Sequence, residues 1–312
     1  MRMFSTLVML SAAIAATAAA QGGAAAFTVA ETGRGYARLS DAVDAIGDGQ
    51  GTILIAPGTY RQCAVQGAGA ITYRAQGQGT AIFDGVTCEG KAALVLRGRG
   101  AVVDGVTFQN MHVPDGNGSG IRLEHGNLDV VNSLFRRSEQ GILTGEDDAG
   151  RIRIDMTTFQ HLGRCDRDLD CAHSLYVGRY GSLSVTRTRF EAGDGGHYLK
   201  SRASHVTINA NSFDDSAGHL TNYMIDLPEG AIGAVTGNEM VQGKDKDNWS
   251  AFIALGAEGL RVDSARLVIA NNRAGFVPGL ERGSTFVATF NGARPAIGVN
   301  RLAPSMKMSD QR

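Results

Sequence analysis

The sequence predicts an all-β fold, a single solenoid of short strands, and three observations carry that expectation. The 312 residues include 42 Gly, 6 Pro and only 6% aromatic side chains, a mixture that suits short strands and tight turns better than helices. A β-branched residue is followed, after four others, by a bulky apolar one in Val103 and Phe108, Val130 and Phe135, Ile154 and Phe159, Val185 and Phe190, Ile208 and Phe213, and Val235 and Met240. Weaker copies follow at Ile269 with Ala274 and Ile297 with Leu302, and the spacing between copies is that of a repeat protein. Two residues before each second member stand Val106, Ser133, Thr157, Thr188, Asn211, Asn238, Asn272 and Asn300. All but Val106 are small and polar, and such a residue recurring there implies an internal ladder at a turn, where Asn tolerates left-handed φ and bonds along the stack.

Taken in order, residues 1–20 join one cation, Arg2, to an apolar middle and an Ala-rich end. This reads as a secretory signal peptide cut after Ala20, with a membrane anchor as the rival reading. No later stretch is long and apolar enough to span a bilayer, so a periplasmic or secreted location is expected. Leu39, Ala42, Val43 and Ile46 have helical spacing and predict a short amphipathic helix that caps the open end of the solenoid. The apolar stretch from Thr52, ended by Pro57-Gly58, reads as the first long strand. The solenoid should then run over residues 27–302, with insertions at Cys165–Cys171 and Gly243–Trp249 and a disordered tail over residues 303–312. In an oxidising compartment Cys165 would pair with Cys171, leaving Cys63 for Cys88; zinc ligation competes but lacks the usual spacing. Lys and Arg number 30 against 31 Asp and Glu, which demands neither nucleic acid nor an anionic membrane as partner. Oligomeric state is left open.

The entry segment Thr52-Ile-Leu-Ile-Ala-Pro-Gly-Thr-Tyr60, the turns Ile82-Phe-Asp-Gly85 and Val103-Asp-Gly-Val-Thr-Phe108, and the Asn/Phe repeat together resemble the right-handed parallel β-helix proteins of the pectate-lyase-like group. The resemblance covers roughly residues 27–302. Gly196-His-Tyr-Leu-Lys-Ser-Arg-Ala203, Ile225-Asp-Leu-Pro-Glu-Gly230 and Gly256-Ala-Glu-Gly259 look like motifs of a bacterial exported subgroup. The resemblance implies a carbohydrate-facing scaffold, often a lyase, hydrolase or epimerase of acidic polysaccharides; fold alone does not choose among them.

Candidate chemistry centres on Gly196–Arg202. Strand alternation turns Leu199 and Ser201 inward and brings Tyr198, Lys200 and Arg202 out together, or simply makes an exposed basic strand edge. Aligning Leu175, Leu199 and Ile225 places Tyr176, Lys200 and Asp226 in one outward row, about 4.8 Å apart. Such a cluster suits β-elimination from a uronic acid. Lys200 would act as base, its pKa lowered by neighbouring cations; Arg202 would clamp the sugar carboxylate; Tyr176 or Tyr198 would protonate the leaving oxygen. Lys and Arg in these roles resemble the alginate-lyase and chondroitinase-B type of β-helix enzyme. No acidic cluster supports the calcium such enzymes often use, so neither cofactor nor metal is assigned. Hydrolysis would need paired carboxylates, for which Asp226 with Glu229 or with Glu258 is available. An ion pair of Lys200 with Asp226 that only stabilises the face is the plainer reading of the same residues. Arg122, Glu124, His219, Lys244 and Trp249 complete the expected binding surface, while His173 and His197 fall at inward positions and are expected to be buried and hydrogen-bonded. The best expectation is thus a lyase of an acidic polysaccharide, and the alternative a non-catalytic polysaccharide-binding or surface-assembly solenoid.

Overall fold

The computed structural model describes residues 25–312, so the leader read over residues 1–20 lies outside the described residues. The chain winds as a right-handed parallel β-helix, each full coil contributing one strand to each of three sheets of twelve, ten and ten strands. The first sheet runs from Arg34–Tyr36 to Ala296–Ile297, the second from Gly58–Tyr60 to Arg301–Leu302, and the third from Ala64–Gln66 to Lys307–Gln311. Among the strands of the described residues, antiparallel pairing is confined to the opening hairpin, Phe27–Val29 and Arg34–Tyr36, and its contact with the next strand.

The repeat counted in the sequence is the register of the coils. Phe108, Phe135, Phe159, Phe190, Phe213, Met240, Ala274 and Leu302 pair one above another in the second sheet. Their β-branched partners, Val103 to Ile297, do the same in the first. The rings from Phe108 to Phe213 stack with centroids 4.8 to 5.1 Å apart, close to the strand spacing of about 4.8 Å, so each coil sets one ring against the next. At the turn between these sheets the Asn ladder forms. The amides of Asn211, Asn238 and Asn272 donate to the side-chain oxygens of Asn238, Asn272 and Asn300, each at 3.0 Å, and each Asn amide group reaches a carbonyl of the coil before, as Asn238 does with Ile208 at 2.9 Å.

Leu39–Ile46 is the expected helix, its buried Leu39, Ala42 and Val43 closing the N-terminal end. Cys63 is joined to Cys88 with Cα atoms 5.5 Å apart, and Cys165 to Cys171, so no cysteine among the described residues is free for zinc. The expected disordered tail is instead ordered at its end: Lys307–Gln311 is the last strand of the third sheet, and Arg312 donates to the Ser250 carbonyl at 3.0 Å. Backbone pairing on an open strand edge, which side-chain composition does not report, holds it there. No helix among the described residues is long and apolar enough to cross a membrane.

Candidate functional site

Three short strands of the third sheet, Leu175–Val177, Leu199–Ser201 and Ile225–Leu227, carry the site. Their outer row is Tyr176, Lys200 and Asp226, paired in register, while Leu175, Leu199 and Ile225 are fully buried in the core. The approach to the middle strand requires glycine: Gly195 and Gly196 have φ of 137° and 62°, and a Cβ on Gly196 would lie 2.0 Å from the Ala172 carbonyl oxygen.

Tyr198 does not join that row. It precedes the strand, where two-residue alternation no longer applies, and is buried. Its hydroxyl donates to Asp215 Oδ1 at 2.7 Å and accepts from the Gly193 amide. Asp215, fully buried, also takes Thr221 Oγ1 at 2.6 Å and Lys246 Nζ at 3.2 Å, so Tyr198 belongs to an internal network that fastens the 243–249 insertion.

Around the row stands a dense charge cluster. Lys200 Nζ lies 3.2 Å from Asp226 Oδ2 and 2.8 Å from Glu258 Oε1. Arg202 donates to Glu258 Oε2 from Nε at 3.1 Å and from Nη2 at 2.5 Å, and its Nη1 meets the Tyr176 hydroxyl. Its guanidinium also lies over the Tyr176 ring, 5.2 Å from the centroid. Glu229 is gripped by Arg179 at 2.8 Å and Arg261 at 2.7 Å, with Arg202 at 3.6 Å. The Arg179 bond in particular holds the Glu229 carboxyl down at about 2.

Asp226 differs from its neighbours. Its side chain is only 4% exposed, and its Oδ1 is buried with no hydrogen-bond partner. Burial pushes the carboxyl up to about 6 despite the opposing charge of Lys200. Lys200 is the counterpart: burial works to lower its pKa, but Asp226 and Glu258 outweigh this and raise it. Neighbouring cations were expected to lower the Lys200 pKa; the adjoining carboxylates raise it instead. Glu258 is also lowered, the bonds from Lys200 and Arg202 prevailing over burial.

A column of stacked rings lies beside the row, and one of them, His197, meets Asp226. His173, His197 and Tyr223 each stand three residues before a member of the outer row and stack, one per coil, with centroids 4.8 and 5.5 Å apart. His173 Nδ1 accepts the His197 amide at 3.0 Å and His197 Nδ1 accepts the Tyr223 amide at 3.1 Å, so in both rings the proton sits on Nε2. His197 Nε2 faces Asp226 Oδ2 at 3.4 Å. Burial, reinforced by Lys200, drives His197 down to about 3 and His173 well below its usual value, so this contact is made by a neutral imidazole and is no ion pair. The equal step of 24 residues from His173 to His197 and from Tyr176 to Lys200 was the available sequence signal for this column. Arg179 and Arg261 left no such signal.

The remaining expected binding residues are elsewhere. Arg122 shares the outer row but is separated from Tyr176 by the strand of Leu143, and its Nε is buried without a partner. Glu124 belongs to a separate cluster with Lys91 at 2.6 Å and Arg97 at 2.5 Å. His219 pairs with Asp245 at 2.5 Å and lines a groove of about 840 Å³, which also takes in His112, Glu139, His161 and Asp194 and none of the cluster. Lys244 and Trp249 lie on the insertion, where Arg282 covers the Trp249 ring at 5.7 Å and donates to the Lys244 carbonyl. Among the described residues no three His, Cys, Asp or Glu side chains converge as metal ligands would.

Together these groups offer a carboxyl poised to exchange a proton near neutrality, two wall-mounted cations and a phenol. No family model matches the chain, and no curated protein matches it. Among solved structures, the deglycosylated pectin methylesterase from Aspergillus niger superposes with a TM-score of 0.46 at 13% identity, over 93% of this chain and 90% of that one. Escherichia coli YbhC gives 0.45 at 12% identity, over 97% and 88%. At this depth neither likeness carries chemistry to this chain.

Proposed function

We propose that the chain is an exported enzyme that cleaves an acidic, uronic-acid polysaccharide by β-elimination, with Asp226 moving the proton. The observation that supports this most is Asp226 itself: a buried carboxylate with one free oxygen and a pKa of about 6, set beside Lys200 and Arg202. The cations neutralise the sugar carboxylate and so acidify the C5 proton. Asp226 takes that proton, the C4–O bond breaks, and a C4–C5 double bond forms as the leaving oxygen gains a proton. Tyr176 supplies it, since its hydroxyl oxygen accepts from Arg202 and its own hydrogen remains free to donate. Lys200 acts as a fixed cation and not as the base. Two disulfides and the leader read over residues 1–20 support export.

Hydrolysis is a second reading, favoured by one observation. Asp226 is raised and Glu258 lowered, although both touch the same Lys200 Nζ, and opposed shifts of this kind separate an acid from its partner carboxylate. Incubation with a panel of uronate polymers decides between them. Elimination produces the ultraviolet absorbance of an unsaturated uronate; hydrolysis produces reducing ends without it. A polymer that binds but yields neither product would leave a binding solenoid and refute both.

A further inference from the structure

The residue that closes the cluster is itself a carboxylate. Glu258 comes from the strap 256–262 that follows the strand Ala251–Leu255, and it reaches back past the strand Ile225–Leu227 to the coil of Lys200. Both of its oxygens are used, Oε1 by Lys200 at 2.8 Å and Oε2 by Arg202 at 3.1 and 2.5 Å. The side chain is 41% exposed, whereas Lys200 and Arg202 are 13% and 16% exposed. The cations are therefore built into the wall, and the anion is the removable partner.

The strap is tied at both ends and held less tightly between. The Glu258 amide donates to the Pro228 carbonyl at 2.8 Å, and the Arg261 and Val262 amides donate to the Glu229 carbonyl at 3.0 Å. Between them the Gly259 amide donates to the Gly256 carbonyl at 3.2 Å, the longest of these bonds, and Gly259 has φ of 106° with nothing within 4 Å of an added Cβ, so this is the joint at which the strap can turn at least cost. Asp226 Oδ1, buried and without a hydrogen-bond partner, belongs to the same carboxyl whose Oδ2 meets Lys200.

We infer that Glu258 occupies the carboxylate subsite of this site, so that the ligand is a carboxylated sugar whose own carboxylate displaces Glu258 from Lys200 and Arg202. This deepens the uronate reading above and rests on it. Two donors set for the two oxygens of one planar carboxylate favour a uronate over a sulfated sugar. Glu258 is then a built-in competitor, and it lowers apparent affinity by the fraction of molecules in which the strap is open.

Calorimetric titration of the full chain with glucuronate and with galacturonate tests this, with glucose and inorganic sulfate as controls. In Glu258→Gln the competitor loses its charge, and uronate binding should tighten about tenfold if the strap is open in about a tenth of wild-type molecules. Glucose and sulfate should show no gain. Uronate affinity that is unchanged or weaker in the variant, absent binding to both proteins, or an equal gain for sulfate would overturn the proposal. Should the variant fail to fold, hydrogen exchange of the wild type answers: saturating glucuronate should speed exchange at the Gly259 amide, whose bond to the Gly256 carbonyl is broken when the strap turns, and unchanged or slower exchange would contradict it. The outcome separates from that of the enzyme reading, because a binding gain without cleavage of any polymer sinks only the latter, and cleavage without a binding gain sinks only this inference.

Discussion

At Asp226, burial competes with pairing, and the balance sets a pH dependence whose sign can be worked out. Its carboxyl titrates near 6 in the fold against 3.8 for the ordinary group, so between those values the folded state holds the extra proton. This group's contribution to stability therefore falls as pH rises through that window and stays lower above it. Asp226→Asn removes the titration. Its melting temperature relative to wild type should rise between about pH 4 and about pH 7, read by calorimetry at both; a constant or falling difference would mean that Asp226 is ionised without cost. The comparison with the variant is needed because His173 and His197, depressed by burial, act in the opposite sense: they stay neutral in the fold and lose stability as pH falls below 6.5. Among these residues the sequence was only partly legible. The row of Tyr176, Lys200 and Asp226 could be counted from strand spacing, but the direction of the Lys200 shift is set by Asp226 and Glu258 together against burial, and Glu258 arrives from a strap whose course has no period.

Among elements, the Asn ladder shows why the repeat was readable. A side chain at one place in every coil must satisfy the same turn groups each time, so chemistry and spacing agree across the chain. Asn238 both accepts from Asn211 and donates to the Ile208 carbonyl, and it is fully buried. Asn238→Leu would leave those groups unpaired at a cost of about 1 to 3 kcal/mol, whereas Thr207→Leu, exposed on the outer face of a neighbouring coil, should cost little. Chemical denaturation of both variants checks this, and equal midpoints would show that the ladder is not what orders the turn. Tyr198 marks where such reasoning stops. Alternation holds only inside a strand, and Tyr198 stands one residue before it, drawn inward by the buried Asp215. The final strand, Lys307–Gln311, was hidden for a related reason: the edge it pairs with supplies its order, and its own side chains are mostly exposed.

In the whole molecule, the solenoid acts as a ruler that sets side chains from distant parts of the chain at coil spacing, with a helix at one end, a final strand at the other and two disulfides in its loops. The cluster gathers Tyr176, Lys200, Arg202, Asp226 and Glu258 from successive coils, and in the proposed reaction Asp226 is the group among them that takes the proton. The pH profile of kcat/KM for wild type and Asp226→Asn, on a uronate polymer that the wild type cleaves, tests that role. For wild type the profile should rise through about pH 6, the value of the free carboxyl, because kcat/KM reports the unliganded enzyme. In Asp226→Asn that limb should vanish and the rate should fall about 10²- to 10⁴-fold, with the protein still folded. Full turnover in the variant, with the same limb near pH 6, would refute the role of Asp226 and place the proton transfer on another group.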